Sequence, residues 1–249
     1  MKIEICLPVY NEEKILESNI LKVLDYLGRE IFFQDKDWRL LVIVNGSNDQ
    51  SAQITRDLCL RFPEKIQSLE FKLGGKGRSL KHYFLLSQAE VLVYMDIDLA
   101  VDLKALPALL QPILSNEADL VFASRLLSGS KTDRSWYRTL SSYIFNALSR
   151  LLLGHRFSDS QCGFKAFKNE VFRSVAQEIL DDHWFFDTEL LVFSARQGWR
   201  LQEIPVDWRE ERYQARPSKV KFFRDSFKFL TNLLKLKKRL LKASSGLKS

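Results

Sequence analysis

Apolar and polar positions change period along the chain. Short runs rich in β-branched and aromatic residues occur at 3–7, 40–44, 66–71, 91–95, 120–123 and 201–206, and these predict strands. Between them, residues 12–27, 50–61, 79–87, 103–114, 136–153 and 188–196 carry the three-to-four spacing of helices that bury one face. Strand and helix alternate, which predicts an α/β fold with a mostly parallel sheet wrapped by helices. In such sheets ligands bind outside the carboxyl ends of the strands. Three polar turns stand at such ends: Pro8-Val9-Tyr10-Asn11, Asn45-Gly46-Ser47 and Asp96-Ile97-Asp98.

The third turn is the most informative. The apolar run Val91-Leu92-Val93-Tyr94-Met95 stops on two aspartates spaced i and i+2. Paired carboxylates at a strand end are costly unless a cation lies between them, and a hard divalent metal holding phosphate oxygens is the expected one. A solvated turn is the alternative. The other motifs read more evenly. Asn11 is expected to cap a helix starting at Glu12, with Glu12 and Glu13 facing its dipole, while Pro8 and Tyr10 could form a shelf for a base. Asn45 could serve a turn or read a base edge. Gly74-Gly75-Lys76-Gly77-Arg78 matches neither phosphate-loop pattern, although its backbone could approach phosphates. Arg125, Arg134 and Arg138 offer guanidinium forks to phosphate oxygens, against the alternative of a solvated basic face. Asp159-Ser160-Gln161-Cys162-Gly163-Phe164-Lys165 reads as a polar loop with a glycine turn. Asp187 could cap the next helix. The three histidines have no ligand spacing, so no zinc is expected.

Composition narrows the class. An apolar fraction of 46% and an aromatic fraction of 12% exclude disorder. Three scattered cysteines form no CxxC pair, the pattern of a reducing, cytosol-facing compartment. Met1 runs almost directly into a strand, leaving no room for a signal peptide, and no apolar stretch reaches the ~18 residues of a membrane span. The net charge of +7 is unevenly placed. Residues 213–249 hold 11 Lys/Arg and one acid, Asp225, whereas the first 212 residues hold the other 27 bases against 30 acids. The domain itself is therefore no nucleic-acid binder. Residues 219–242 predict a basic amphipathic helix, with Val220, Phe223, Phe227, Leu230 and Leu234 on one face and Lys235, Lys237, Lys238 and Arg239 among its cations. An anionic membrane surface is its expected partner; docking on the domain is the alternative. The division expected is 1–212 for the domain and 213–249 for the tail.

Taken together, PVYNEE, NGSNDQS, GGKGRSL, MDID, ASR and DSQCGFKAF, in this order, resemble glycosyltransferase family 2 over about residues 1–212. DSQCGFK and WFFDTELL look most like its dolichyl-phosphate β-glucosyltransferase branch. The resemblance implies a GT-A fold and inverting, metal-dependent transfer of a hexose from a nucleotide sugar to a polyprenyl phosphate. It implies Pro8, Tyr10, Glu12, Asn45, Lys76 and Asp96 at the donor nucleotide, and Asp98 with Asp96 on Mg²⁺ or Mn²⁺. Gln161 and Trp184 would meet the donor sugar, Arg125, Arg134 and Arg138 the acceptor phosphate, and Asp159 the reaction centre. Asp187 falls where relatives with hydroxyl acceptors keep a general base. Two departures matter. Val44-Asn45 replaces a common aspartate pair, which favours uracil over guanine because an amide oxygen accepts less well from two donors. Ala100 replaces a glutamine often found after the acidic motif, leaving leaner metal coordination. A peripheral protein on the cytoplasmic face of a membrane is expected. A GDP-mannose donor, a sugar-hydroxyl acceptor and a homo-oligomer stay open.

Overall fold

The computed structural model describes residues 1–209 and 222–246. The chain runs β1 (Lys2–Val9), α1 (Leu16–Arg29), β2 (Asp37–Asn45), α2 (Ser51–Arg61), β3 (Ile66–Phe71), α3 (Lys76–Leu86), β4 (Val91–Met95) and α4 (Leu106–Leu114). It continues through β5 (Leu120–Ser124), β6 (Lys131–Asp133), α5 (Trp136–Leu153), β7 (Phe164–Lys168), α6 (Asn169–Val175), α7 (Phe186–Arg196), β8 (Leu201–Pro205), β9 (Asp207–Arg209) and α8 (Phe222–Gly246). Seven strands form one sheet in the order β3-β2-β1-β4-β7-β5-β8, and β6 pairs with β9 in a two-stranded ribbon. Only β7 runs against its neighbours.

All six strands read from the sequence are in this sheet. Both faces are covered, so β1, β4 and β5 are buried almost throughout, as a sheet between two helical layers requires. Register sets the ends: Val9 lies beside Val44, and Cys6 beside Tyr94. The turns after β1, β2 and β4 therefore open on one rim.

Four expectations are corrected. Segment 159–165 is not all loop: its Phe164 and Lys165 open β7, whose burial places a lysine inside the sheet. Helix α1 starts at Leu16, and Asn11 does not cap it. Asn11 instead has φ 51° and its Oδ1 accepts from the Asn48 backbone N–H at 2.8 Å, tying the first turn to the second. Helix α3 starts at Lys76 rather than Ser79, which puts that lysine in a first turn. Asp187 lies inside α7, whose N-cap position is Phe185; the N–H groups of His183, Phe185 and Phe186 donate instead to Asp181 Oδ1 in the preceding turn.

The tail also has a definite place. Leu233, Leu236 and Leu240 of α8 are buried in the layer that holds Phe172, Phe186 and Leu190, and Phe229 packs on Phe145 of α5 and on Phe185. Over residues 228–242 the domain covers Leu233, Leu236 and Leu240, whereas Leu230 and Leu234 of the expected stripe stay exposed. The expected boundary at 212/213 and the start of the tail at Lys219 lie outside the described residues, as do the side chains of Phe223 and Phe227. Leu236 is 1% exposed. Leu236→Ala should lower the unfolding free energy by about 2–5 kcal/mol in urea titrations; a helix detached in solution would leave it unchanged.

Candidate active site

The pocket lies at the carboxyl ends of β4 and β5, lined by Asp96, Asp98, Arg125, Gln161, Gly163 and Trp208. A buried charge cluster lies behind it. Lys165 on β7 is fully buried, and its Nζ donates to Asp187 Oδ1 at 2.5 Å and to the Cys162 carbonyl at 2.6 Å. Tyr94 Oη donates to the same Asp187 oxygen. Lys76 lies 3.6 Å from the other Asp187 oxygen and donates to Asp96 Oδ1 at 2.9 Å. Burial opposes ionisation of Asp187, but Lys165, Lys76 and the hydrogen bonds outweigh it and hold its carboxyl below the ordinary range. Burial likewise opposes charge on Lys76, but Asp187 and Asp96 raise its affinity for the proton.

A second buried pair stands beside the first. Asp159 is fully buried and accepts from Arg125 Nε at 2.7 Å and Nη2 at 3.0 Å, a two-pronged contact. The backbone N–H groups of Arg125 and Gln161 also bond it, each at 3.2 Å. Burial raises the Asp159 pKa, and Arg125 more than reverses this, so the carboxylate stays charged. Arg125 and Arg134 also stack toward Trp208, at 5.9 and 5.7 Å from its ring. Arg134 bonds the Arg138 carbonyl and Ser142 Oγ, which fixes it against the first turns of α5. The hydroxyl of Ser135, at the N-terminus of α5, is buried without a hydrogen-bond partner among the described residues.

On the opposite side, Asn45 is buried and joins two turns: its Nδ2 donates to the Val9 carbonyl at 2.8 Å and its Oδ1 accepts from Gly75 N at 3.1 Å. Any base contact would use the second lone pair of Oδ1. Tyr10 is exposed on the rim near Gly74, Pro8 is buried at the end of β1, and the Glu12 backbone N–H donates to Ser51 Oγ at 2.8 Å. Trp184 is 39% exposed, with Lys76 Nζ 5.4 Å from its ring, and Gln161 Nε2 donates to Thr188 Oγ1 at 2.5 Å.

Asp96 and Asp98 are the carboxylates of the pocket. Asp98 Oδ1 accepts from Ala100 N at 3.2 Å. No three His, Cys, Asp or Glu side chains converge among the described residues. Two carboxylates suit a hard cation that takes its other ligands from phosphate and water. Gly163 keeps this corner open: a Cβ there would lie 2.7 Å from Asp96 Cγ.

Sequence reasoning brought Asp96, Asp98, Arg125, Asp159 and Gln161 to one place. It missed Lys165, Tyr94 and Trp208. A lysine amid the apolar Phe164-Lys165-Ala166-Phe167 run was the available signal for the first; nothing in the sequence marked Trp208.

Comparison with known proteins places this site in context. The family model described as glycosyl transferase family 2 matches residues 4–176. Glycosyltransferase AglD of Haloferax volcanii is 33% identical over 208 residues, covering 84% of this chain and 33% of that protein. The dolichyl-phosphate beta-glucosyltransferase of Homo sapiens is 29% identical over 223 residues, covering 84% of this chain and 68% of that protein. The chain thus spans one third to two thirds of these relatives. The Mycobacterium tuberculosis glucosyl-3-phosphoglycerate synthase, crystallised with uridine-diphosphate, has a TM-score of 0.68 at 20% identity over 95% of this chain and 80% of that one, a likeness of fold. The sheet is of the expected GT-A kind.

Asp187→Asn should cost about 3–5 kcal/mol at pH 7, because it strands the Lys165 charge in the interior. The folded Asp187 pKa is depressed, so its contribution is complete above the ordinary value of 3.8 and is lost as pH falls through the lower folded value. Urea unfolding from pH 7 to pH 2 should therefore show a smaller acid loss in Asp187→Asn than in the parent.

Proposed function

The chain belongs to glycosyltransferase family 2, and within that family we propose that it moves a hexose, glucose foremost, from a UDP-sugar to the phosphate of a polyprenyl lipid. The observation that carries this reading is the arrangement around Arg125. A pocket with two carboxylates suited to a metal stands beside the N-terminus of α5, where Arg134, Arg138 and the Ser135 hydroxyl, unpartnered among the described residues, gather. A helix N-terminus ringed by guanidiniums attracts an anion. The next turns of α5 then present Trp136, Leu140, Tyr143, Ile144 and Leu151 to solvent, each 49% exposed or more. A phosphate site that continues into an apolar face suits a lipid phosphate. The dolichyl-phosphate glucosyltransferases among the relatives support this acceptor, and the uridine-diphosphate and Mn²⁺ complexes of the structural neighbour support the donor and the metal.

The chemistry follows from the charges. Mg²⁺ or Mn²⁺ on Asp98, with Asp96, would neutralise charge on the departing diphosphate. Lys76, held at Asp96, adds a cation at the same corner. Arg125 is oriented by Asp159. A phosphate monoester with a second pKa near ~6 is already an anionic nucleophile at neutral pH, so no protein base is required. Asp187 is accordingly a counterion to two lysines. Transfer to a sugar hydroxyl would instead need a titrating base.

The exposed α5 face, rather than the buried Leu233-Leu236-Leu240 side of α8, is the surface we assign to the membrane. Exposed Leu230 and Leu234 of α8 and the cations Lys228, Lys235 and Lys238 flank it. Among the described residues no helix is long and apolar enough to cross a membrane, which fits a peripheral protein at the cytoplasmic leaflet.

Two measurements test the proposal. Radiolabelled UDP-glucose, UDP-GlcNAc and GDP-mannose, each offered with polyprenyl phosphate and Mg²⁺, should put label into the organic phase from UDP-glucose above all, with a rate that falls below pH ~6 as the acceptor protonates. A base titrating elsewhere, or label entering only hydroxyl acceptors, would favour the second chemistry. Trp136→Glu with Leu140→Glu should abolish co-sedimentation with anionic vesicles while leaving UDP binding intact; retained co-sedimentation refutes the assignment of α5.

A further inference from the structure

Helix α8 holds the segment that carries Trp184 and leads into α7. Two buried or part-buried carboxylates organise residues 178–186. Glu189 Oε2 accepts from the backbone N–H groups of Leu180 at 2.8 Å and Asp181 at 2.7 Å. Asp181 accepts from the N–H groups at the start of α7 as described. Each carboxylate gives its other oxygen to α8: Glu189 Oε1 accepts from Arg239 Nη1 at 2.5 Å, and Asp181 Oδ2 from Asn232 Nδ2 at 3.1 Å. Arg239 Nη2 also donates to the Glu178 carbonyl.

The far side of the same segment grips the start of α3. The N–H groups of Gly77 and Arg78 donate to the carbonyls of His183 and Asp182, at 3.2 and 3.0 Å. Arg78 and Lys81 pair with the Asp182 carboxylate, each at 2.9 Å. The approach is close: a Cβ on Gly77 would lie 2.7 Å from the Asp181 carbonyl oxygen. Lys76, the residue before Gly77, faces Trp184, Asp96 and Asp187. Hydrogen bonds therefore run from α8, through 178–186, to Gly77 and Arg78, the neighbours of Lys76.

We propose that Arg239 and Asn232 are positioning residues for the donor site, so that the docked tail sets the placement of Lys76 and Trp184 and hence the affinity for the sugar diphosphate. This rests on the pocket taking a nucleotide sugar. A loosened segment would leave the acceptor side, built on α5 and β5, where it is. Arg239→Ala in the full chain should raise the KM for UDP-glucose about 10-fold, within the usual range of coupling between sites, with little change in the KM for polyprenyl phosphate. Arg239→Lys should recover part of the loss, and Asn232→Ala should show a smaller effect of the same kind. Hydrogen exchange at the Gly77 and Arg78 amides should quicken in Arg239→Ala at a temperature where the protein remains folded. Equal changes in both KM values, or unchanged exchange at those amides, overturn the proposal. If the parent chain fails to bind UDP or UDP-glucose in calorimetry, the donor assignment falls, while the exchange measurement still decides whether α8 positions the α3 start.

Discussion

Two buried lysines and a carboxylate lie together behind the pocket, and the surrounding elements are arranged around their pairing. An ammonium buried without a partner would cost several kcal/mol. Lys165 has its partners in Asp187, Tyr94 and the Cys162 carbonyl. Each contact reaches this β7 lysine from a different element: α7, β4 and the turn before β7. The ion cluster therefore works as a junction. It holds α7 at a set distance from β4, delivers Lys76 to Asp96, and pulls the Gly163 turn over the strand end. The Arg125–Asp159 pair repeats the arrangement one strand away, so the pocket is lined by charges whose directions are set before any ligand arrives. Such preorganisation is what stabilisation of a developing anion requires.

The sheet was largely legible because its signal is local. Runs such as Val91-Leu92-Val93-Tyr94-Met95 can be nothing but buried strands, and the polar turns after them announce the rim. β7 was obscure for a physical reason: Phe164-Lys165-Ala166-Phe167-Lys168 breaks strict alternation by placing Lys165 on the same face as Phe167, and only the distant Asp187 makes a central lysine tolerable. Asn11 misled because its chemistry suits a helix cap equally well as a bridge to the neighbouring turn. The aspartates of the acidic turn were visible, but the division of labour between them was not, since Lys76 reaches Asp96 across twenty residues.

The tail shows where composition alone fails. Its cations and leucines match a surface-seeking helix, and amphipathicity states that a partner exists without saying which. Leu233, Leu236 and Leu240 find theirs in the domain, next to Phe186 and Leu190. Apolar residues stay exposed on α5, a helix whose spacing predicted one buried face, as well as at Leu230 and Leu234 of α8. Exposure is a property of the assembled molecule, and the sequence carries it only in combination.

The reversed strand has a consequence for how the molecule comes into being. Without β7 the sheet is two pieces, β3-β2-β1-β4 and β5-β8, with no pairing between them. Residues 164–168 zip the pieces together, drawing on partners dozens of positions earlier in the chain. The same residues bring Lys165 and the Gly163 turn to the pocket. The joining of the sheet and the assembly of the site hence share five residues: a nascent chain that has emerged only as far as β5 has the turns after β1, β2 and β4 but neither Lys165 nor the Gly163 turn.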